Sequence, residues 1–121
     1  MPFFDPMDIG PKNWGQELLV AKTDQYIGKV LTMRAGESGP LQYHERKDET
    51  FHLWAGKAEL TFEVNGKLVK RTMTAGQSYH VPPGTVHRVK ALKTSVFFEA
   101  STPVFDDRVS VEDRFRDDPN F

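Results

Sequence analysis

An all-β sandwich or barrel is the fold class this sequence predicts, and three observations predict it. From residue 17 onward, short strand-like runs alternate with turn signals at close spacing. No interior segment sustains a helical period. In FEVNGKLVK, Asn65-Gly66 separates two alternating runs, the strongest short-range hairpin signal, because both turn residues must take φ > 0.

Residues 1–15 hold three prolines and two glycines and predict an extended arm. The strand candidates that follow are ELLVAKT, QYIGKVLTMR, ETFHLWAG, KAELTFEV, KLVKRTMT, QSYHVP, HRVKALK and SVFFEAS. Turn signals between them are GESGP, Asn65-Gly66, Ala75-Gly76 and Pro82-Pro83-Gly84. The charged tail DDRVSVEDRFRDD reads as a short helix or an ordered flap. One domain is expected, with residues 1–15 as arm, 16–105 as barrel and 106–121 as tail.

The 121 residues suffice for one core, and 38% apolar with 27% charged residues is an ordinary globular balance. A net charge of −1 leaves no basic surplus for a nucleic-acid backbone. No apolar run reaches the length of a membrane span, and the N-terminus lacks the basic start of a signal peptide. A cytoplasmic location is therefore expected, without membrane or nucleic-acid partners. The absence of Cys removes disulfides, thiolate metal sites and cysteine nucleophiles.

Chemistry concentrates in LQYHERKDETFHLWAG at 41–56 and GQSYHVPPGTVH at 76–87. Residues two apart on a strand share a face, so Gln42 and His44 point together and Tyr43 points away. Glu49 follows across the charged turn ERKD, and His87 is placed by the proline turn. Two imidazoles and a carboxylate, with Gln42 adding a neutral oxygen, suit one divalent ion: Zn, Mn, Fe, Co or Ni.

The joint spacing resembles the cupin family. Its first motif runs Gly, five residues, His-x-His, three or four residues, Glu, six residues, Gly. Gly36, Gln42, His44, Glu49 and Gly56 follow it, with Gln42 in place of the first His. Gly76, Pro82, Gly84 and His87 follow the second motif, with Ala91 in place of its final Asn. The resemblance implies a double-stranded β-helix barrel around a metal, in a homodimer.

A narrower likeness is to the small cupin domains of the type II mannose-6-phosphate isomerase group. It rests on Lys12, Trp14, Gly15 and Glu17, on the run LQYH, on Val86-His87-Arg88, and on Asp106, Asp107, Val109, Glu112, Asp113 and Arg114. The group's final Gly-Arg is missing, Asn13 stands for its Pro, and Phe115 stands for its Tyr. This likeness implies isomerisation or epimerisation of a sugar or sugar phosphate, such as mannose 6-phosphate. Glu99 falls on the group's Ile-Glu-Val position and is the candidate base, against a reading as an exposed carboxylate ending a strand. Arg34 and Arg114 are the candidate contacts to an anionic substrate, against a reading as solvated surface charges. A non-haem Fe(II) dioxygenase and a binding module without turnover are the alternatives.

His52 and Trp54 alternate with Phe51 and Leu53, so one pair should face the core and the other a partner subunit. His80 reads as interface or surface. Trp14 and the N-terminal phenylalanines are expected to pack the arm against a neighbouring barrel.

Overall fold

The structure, a computed structural model, describes residues 3–121, so residues 1 and 2 of the expected arm lie outside it. Among the described residues there are nine strands and one 3₁₀ turn: β1 (Met7–Lys12), β2 (Gly15–Lys22), β3 (Ile27–Met33), β4 (Gln42–His44), β5 (Glu49–Val64), β6 (Lys67–Thr74), β7 (Ser78–Val81), β8 (His87–Ser101), β9 (Arg108–Ser110) and η1 (Glu112–Phe115). The result is a curled antiparallel sheet, the double-stranded β-helix.

Two long strands close it. The first half of β5, Glu49–Ala55, pairs with Ser101–Val96 of β8; the second half, Lys57–Phe62, pairs with Lys93–His87. Register shifts lie between Leu53 and Ala58. Each strand therefore bends from one face of the barrel into the other. β3 and β7 extend the first face, while β4 and β6 extend the second. Gly56 makes the bend feasible: its φ is +100°, and an added Cβ would lie 2.4 Å from Ser95 Oγ and 2.5 Å from the Thr94 carbonyl. The sequence divided this region into ETFHLWAG and KAELTFEV, and β8 into two runs. Each pair is one strand, because a bulge interrupts the ladder without ending it.

The Asn65-Gly66 hairpin joins β5 to β6, with both residues at positive φ (51° and 81°) and Val64 opposite Lys67. The arm is not free. β1 folds back on β2 as a hairpin, and Trp14 packs on the barrel's own core rather than on a neighbouring barrel. Phe3 and Phe4 are exposed. The tail also joins the sheet: β9 pairs with β4, and η1 follows it.

Two apolar clusters hold the barrel. Leu31, Met33, Leu53, Met73 and Phe97 form the inner one, where truncating a buried Leu costs about 2–5 kcal/mol. Leu41, Leu68, Val86, Val111 and Phe115 form the second, which pins the tail, with Tyr43 packed against it. Alternation on β5 buries Leu53, packs Phe51 against the inner cluster and leaves Trp54 73% exposed. His52 turns outward to the Ser78 hydroxyl, and His80 sits on the surface against Asp48. Among the described residues, no helix is long and apolar enough to cross a membrane.

Candidate metal centre

Four polar side chains meet inside the barrel from both of its faces. Gln42 and His44 lie on β4, and His87 opens β8 directly opposite Gln42 in register. Paired residues on neighbouring strands share a face, so both enter the same space. Glu49 opens β5 on the facing sheet, opposite Val81 and Ser101. The proline turn joins the two motifs: the Gly84 N–H donates to the His44 carbonyl at 2.7 Å, with Gly84 at φ +82°. Pro82 and Gly84 thereby seat His87 beside His44, their ring centroids 6.1 Å apart.

His44, Glu49 and His87 each offer one donor atom, and the three atoms lie within 4.8 Å of one another. Ligand bonds of about 2.0–2.2 Å to one ion span a comparable distance. The outer nitrogens support that reading. His44 Nδ1 donates to Asp107 Oδ1 at 3.0 Å, and His87 Nδ1 donates to the Thr85 carbonyl at 3.0 Å. Both partners only accept, so each Nδ1 carries a proton and each Nε2 turns inward as the ligand atom.

Two acceptors decide whether a cation fits. Gln42 Oε1 and Glu49 Oε2 are buried and have no hydrogen-bond partner. Glu49 Oε2 lies 3.1 Å from His44 Nε2, but outside hydrogen-bond geometry. Buried acceptors without donors cost free energy, and a divalent ion held among these side chains would satisfy them.

The electrostatics agree. Burial raises the Glu49 pKa, yet His44, Lys47 and His87 together hold it below the ordinary carboxylate value. Burial dominates at His87 and lowers its pKa below 6.5, against the Thr85 carbonyl and Glu49, keeping the imidazole in its ligand form. At His44 burial also opposes protonation, but Glu49 and then Asp107 outweigh it and raise the pKa. A proton and a metal ion would compete for that same inward lone pair.

The site opens into a cavity of about 670 Å³. Glu99 lines it, only 4% exposed, and its Oε2 meets Lys47 Nζ at 2.9 Å. The structure thus replaces the exposed strand-end reading of Glu99 with a buried, cavity-facing carboxylate. Lys47 keeps its charge: burial works against it, but Glu99 and Glu49 raise its pKa. Arg34 and Arg114 are elsewhere. Arg34 is bound to the Asn13 carbonyl at the hairpin, and Arg114 stacks on Phe115 and lies 3.5 Å from Glu63. Neither lines the cavity; Lys12, Lys29, Lys47, Arg88 and Arg108 do.

Sequence reasoning missed Asp107, which does more than orient His44. Its Oδ2 also accepts from the backbone N–H groups of Arg46 and Lys47, at 2.6 and 2.8 Å. One tail carboxylate therefore holds both the His44 ring and the loop carrying Lys47. The signal available was the Asp106-Asp107 pair, but spacing alone could not say which ring it meets.

A family model described as a cupin domain matches residues 29–100. This chain belongs to the cupin family. A candidate mannose-1-phosphate guanylyltransferase of Vibrio cholerae serotype O1 is 30% identical to this cupin over 77 residues, covering 64% of the chain. The chain spans only 16% of that protein's length. Among solved structures, KdgF from Halomonas sp. is 26% identical, with a TM-score of 0.72 over 86% of this cupin and 92% of KdgF. The capsular polysaccharide assembling protein CapF of Staphylococcus aureus matches with a TM-score of 0.78 at 16% identity, over 91% of the chain and 32% of CapF. Oxalate decarboxylase of Bacillus subtilis, described with Mn(II) centres, matches at 0.71 with 20% identity, over 87% of the chain and 30% of its own. These last two likenesses speak to the fold alone.

Proposed function

We propose that this cupin is a metal-dependent isomerase, or epimerase, acting on a sugar or sugar phosphate. The observation that carries the reading is Glu99: a carboxylate only 4% exposed, paired with Lys47 at 2.9 Å and facing the same cavity as His44, Glu49 and His87. The relation to a candidate mannose-1-phosphate guanylyltransferase favours a sugar-derived ligand.

His44, Glu49 and His87 would hold the ion, with Gln42 as a neutral fourth ligand. Bound there, a divalent ion supplies a Lewis acid that polarises a sugar carbonyl. Glu99 takes the proton from the carbon beside that carbonyl and returns it to the former carbonyl carbon. The Lys47 ammonium, 2.9 Å from Glu99 Oε2, gives a proton to the former carbonyl oxygen and regains one from the neighbouring hydroxyl. Asp107 acts through His44 and the Lys47 backbone, as a positioning residue. Phe51, Phe97 and Leu31 line the cavity and limit water near the reacting carbons. A homodimer belongs to the same reading, since Trp54 and Phe98 stand exposed on the outer faces of β5 and β8. Sedimentation as a monomer at micromolar concentration would remove that part.

The deciding experiment is an anaerobic assay of metal-loaded protein in D₂O against a panel of sugars and sugar phosphates. The expected result is isomer or epimer formation with solvent deuterium at the exchanged carbon. Two histidines and one carboxylate also form the donor set of non-haem Fe(II) oxygenases, so product formed only in a parallel aerobic arm with Fe(II) would overturn the isomerase in favour of that chemistry. Saturable binding without any turnover would leave a sensing module.

A further inference from the structure

The cavity has a second polar region that the metal chemistry does not use. On its wall, Glu17 of β2 meets Lys29 of β3 at 3.0 Å and Lys12 of β1 at 3.3 Å. Glu17 and Lys29 are each 7% exposed. Two ammonium groups thus share one carboxylate. A buried Lys is rarely kept without a counter-charge, and Glu17 serves Lys29 first by hydrogen bond and distance. Lys12 is left with half a partner, its side chain 39% exposed at the mouth.

Phe105 stands at the rim beside this pair, with Lys22 behind it outside the lining. The Phe105 ring lies 5.3 Å from Lys22 Nζ and 5.5 Å from Lys29 Nζ, and its position at the mouth leaves it 47% exposed. The whole cavity is lined by five Lys or Arg side chains against four Asp or Glu side chains, one of which is the metal ligand Glu49. With a divalent ion in place the interior carries a clear positive excess. Low-dielectric walls focus such a field on a ligand of opposite sign.

The register separates this region from the ion. Lys29 pairs with Glu99 across β3 and β8, and Glu99 pairs with Phe51 across β8 and β5, the strand that carries Glu49. Neighbouring strands are about 4.8 Å apart, so Lys29 starts roughly 10 Å from the strand of the metal ligand. Glu99, the proposed base, stands between them.

We propose that Lys12 and Lys29 form an anion subsite that takes the charged end of the substrate, so that the ligand is an acidic sugar: a sugar phosphate or a sugar carboxylate. This rests on the isomerase reading for the reaction, and on the cavity alone for the binding. The sugar would lie across the barrel with its reacting oxygens at the His44 end and its anion against the lysines. Lys29 holds the anion by charge and hydrogen bond, Lys12 closes over it from the hairpin, and Glu17 fixes both ammonium groups in place.

The test is calorimetric titration of the metal-loaded protein with three probes: mannose, mannose 6-phosphate and mannuronate. At least one anionic probe should bind tenfold or more tightly than mannose, with affinity falling as salt rises. The tighter of the two anions identifies the charged group. Lys12→Met should weaken the anionic probe severalfold and leave mannose unchanged. Lys29→Met alone would strand Glu17, so the paired change Glu17→Gln with Lys29→Met is the second variant, and it should lose most of the preference while keeping its metal. Equal binding of all three probes would overturn the subsite, as would unchanged anion affinity in both variants. The two readings fail separately: anion binding through Lys12 without turnover sinks only the isomerase, and turnover of neutral sugars without anion preference sinks only the subsite.

Discussion

The two ends of the cavity are both built from buried polar groups, yet they are balanced in opposite ways. Around Lys29 and Glu17, each buried charge has its counter-charge on a neighbouring strand, and the charge to spare is Lys12, near solvent. Around His44, Glu49 and His87, acceptors converge on acceptors, and two of them have no donor at all. The first arrangement stands without any added group. The second would be costly in a folded protein unless a cation occupies it, because an orphaned buried acceptor forfeits its water without replacement. A set of unsatisfied acceptors calls for a cation; a satisfied pair with one ammonium to spare calls, less strongly, for an anion.

The largest test of that contrast is removal of a ligand. His87→Ala is expected to abolish metal binding by elemental analysis while far-UV circular dichroism stays that of the barrel, since the apolar clusters do not depend on the ion. Full metal occupancy in this variant would break the comparison. Next is Glu99→Gln, expected to lower turnover by about 10²- to 10⁴-fold with metal content unchanged. Joint loss of metal would instead make Glu99 part of the metal end.

Asp107→Asn should weaken metal affinity by roughly 10- to 100-fold, because it disturbs the His44 tautomer and loosens the loop at Arg46 and Lys47. Competition with a chelator measures it, and wild-type affinity would show that the contact is idle. Gln42→Ala should cost less than either histidine variant, since a neutral amide contributes no charge. A Gln42 variant as metal-free as His87→Ala would reverse that order.

The smallest effect concerns the tail. Asp118 accepts from the N–H groups of Leu68 and Asn120, which hold its carboxyl below the ordinary value of 3.8. A depressed carboxyl stabilises the fold above its unfolded pKa, and that contribution disappears as pH falls through the lower folded value. Protection of the Leu68 amide, its exchange rate relative to a free peptide at the same pH, should therefore hold from neutral pH down to about pH 4 and fall only below it. Protection lost between pH 5 and 7 would contradict the assignment.

Much of this protein was legible from local pattern. Alternation and the Asn65-Gly66 turn announced an antiparallel β-protein, because side-chain period and turn dihedrals are properties of a few neighbouring residues. Gly36, Gly56, Gly76 and Gly84 sit where backbone φ is positive, and their spacing carried the family likeness. That same spacing brought Gln42, His44, Glu49 and His87 forward as a set before any coordinates.

Tertiary structure decided the rest. Whether Glu99 ends a strand in water or faces a cavity depends on β3 and β5 flanking β8 on either side. Arg34 and Arg114 matched the expected charge but fold onto Asn13 and Phe115, while Lys12 and Lys29, with no motif to mark them, line the cavity. Asp107 reaches His44 only because β9 returns to pair with β4, 63 residues along the chain from its partner. Sequence determined which groups could bind an ion, since donor chemistry and strand period are local. Long-range pairing determined which charges share the ion's cavity, since that depends on how distant strands are brought together.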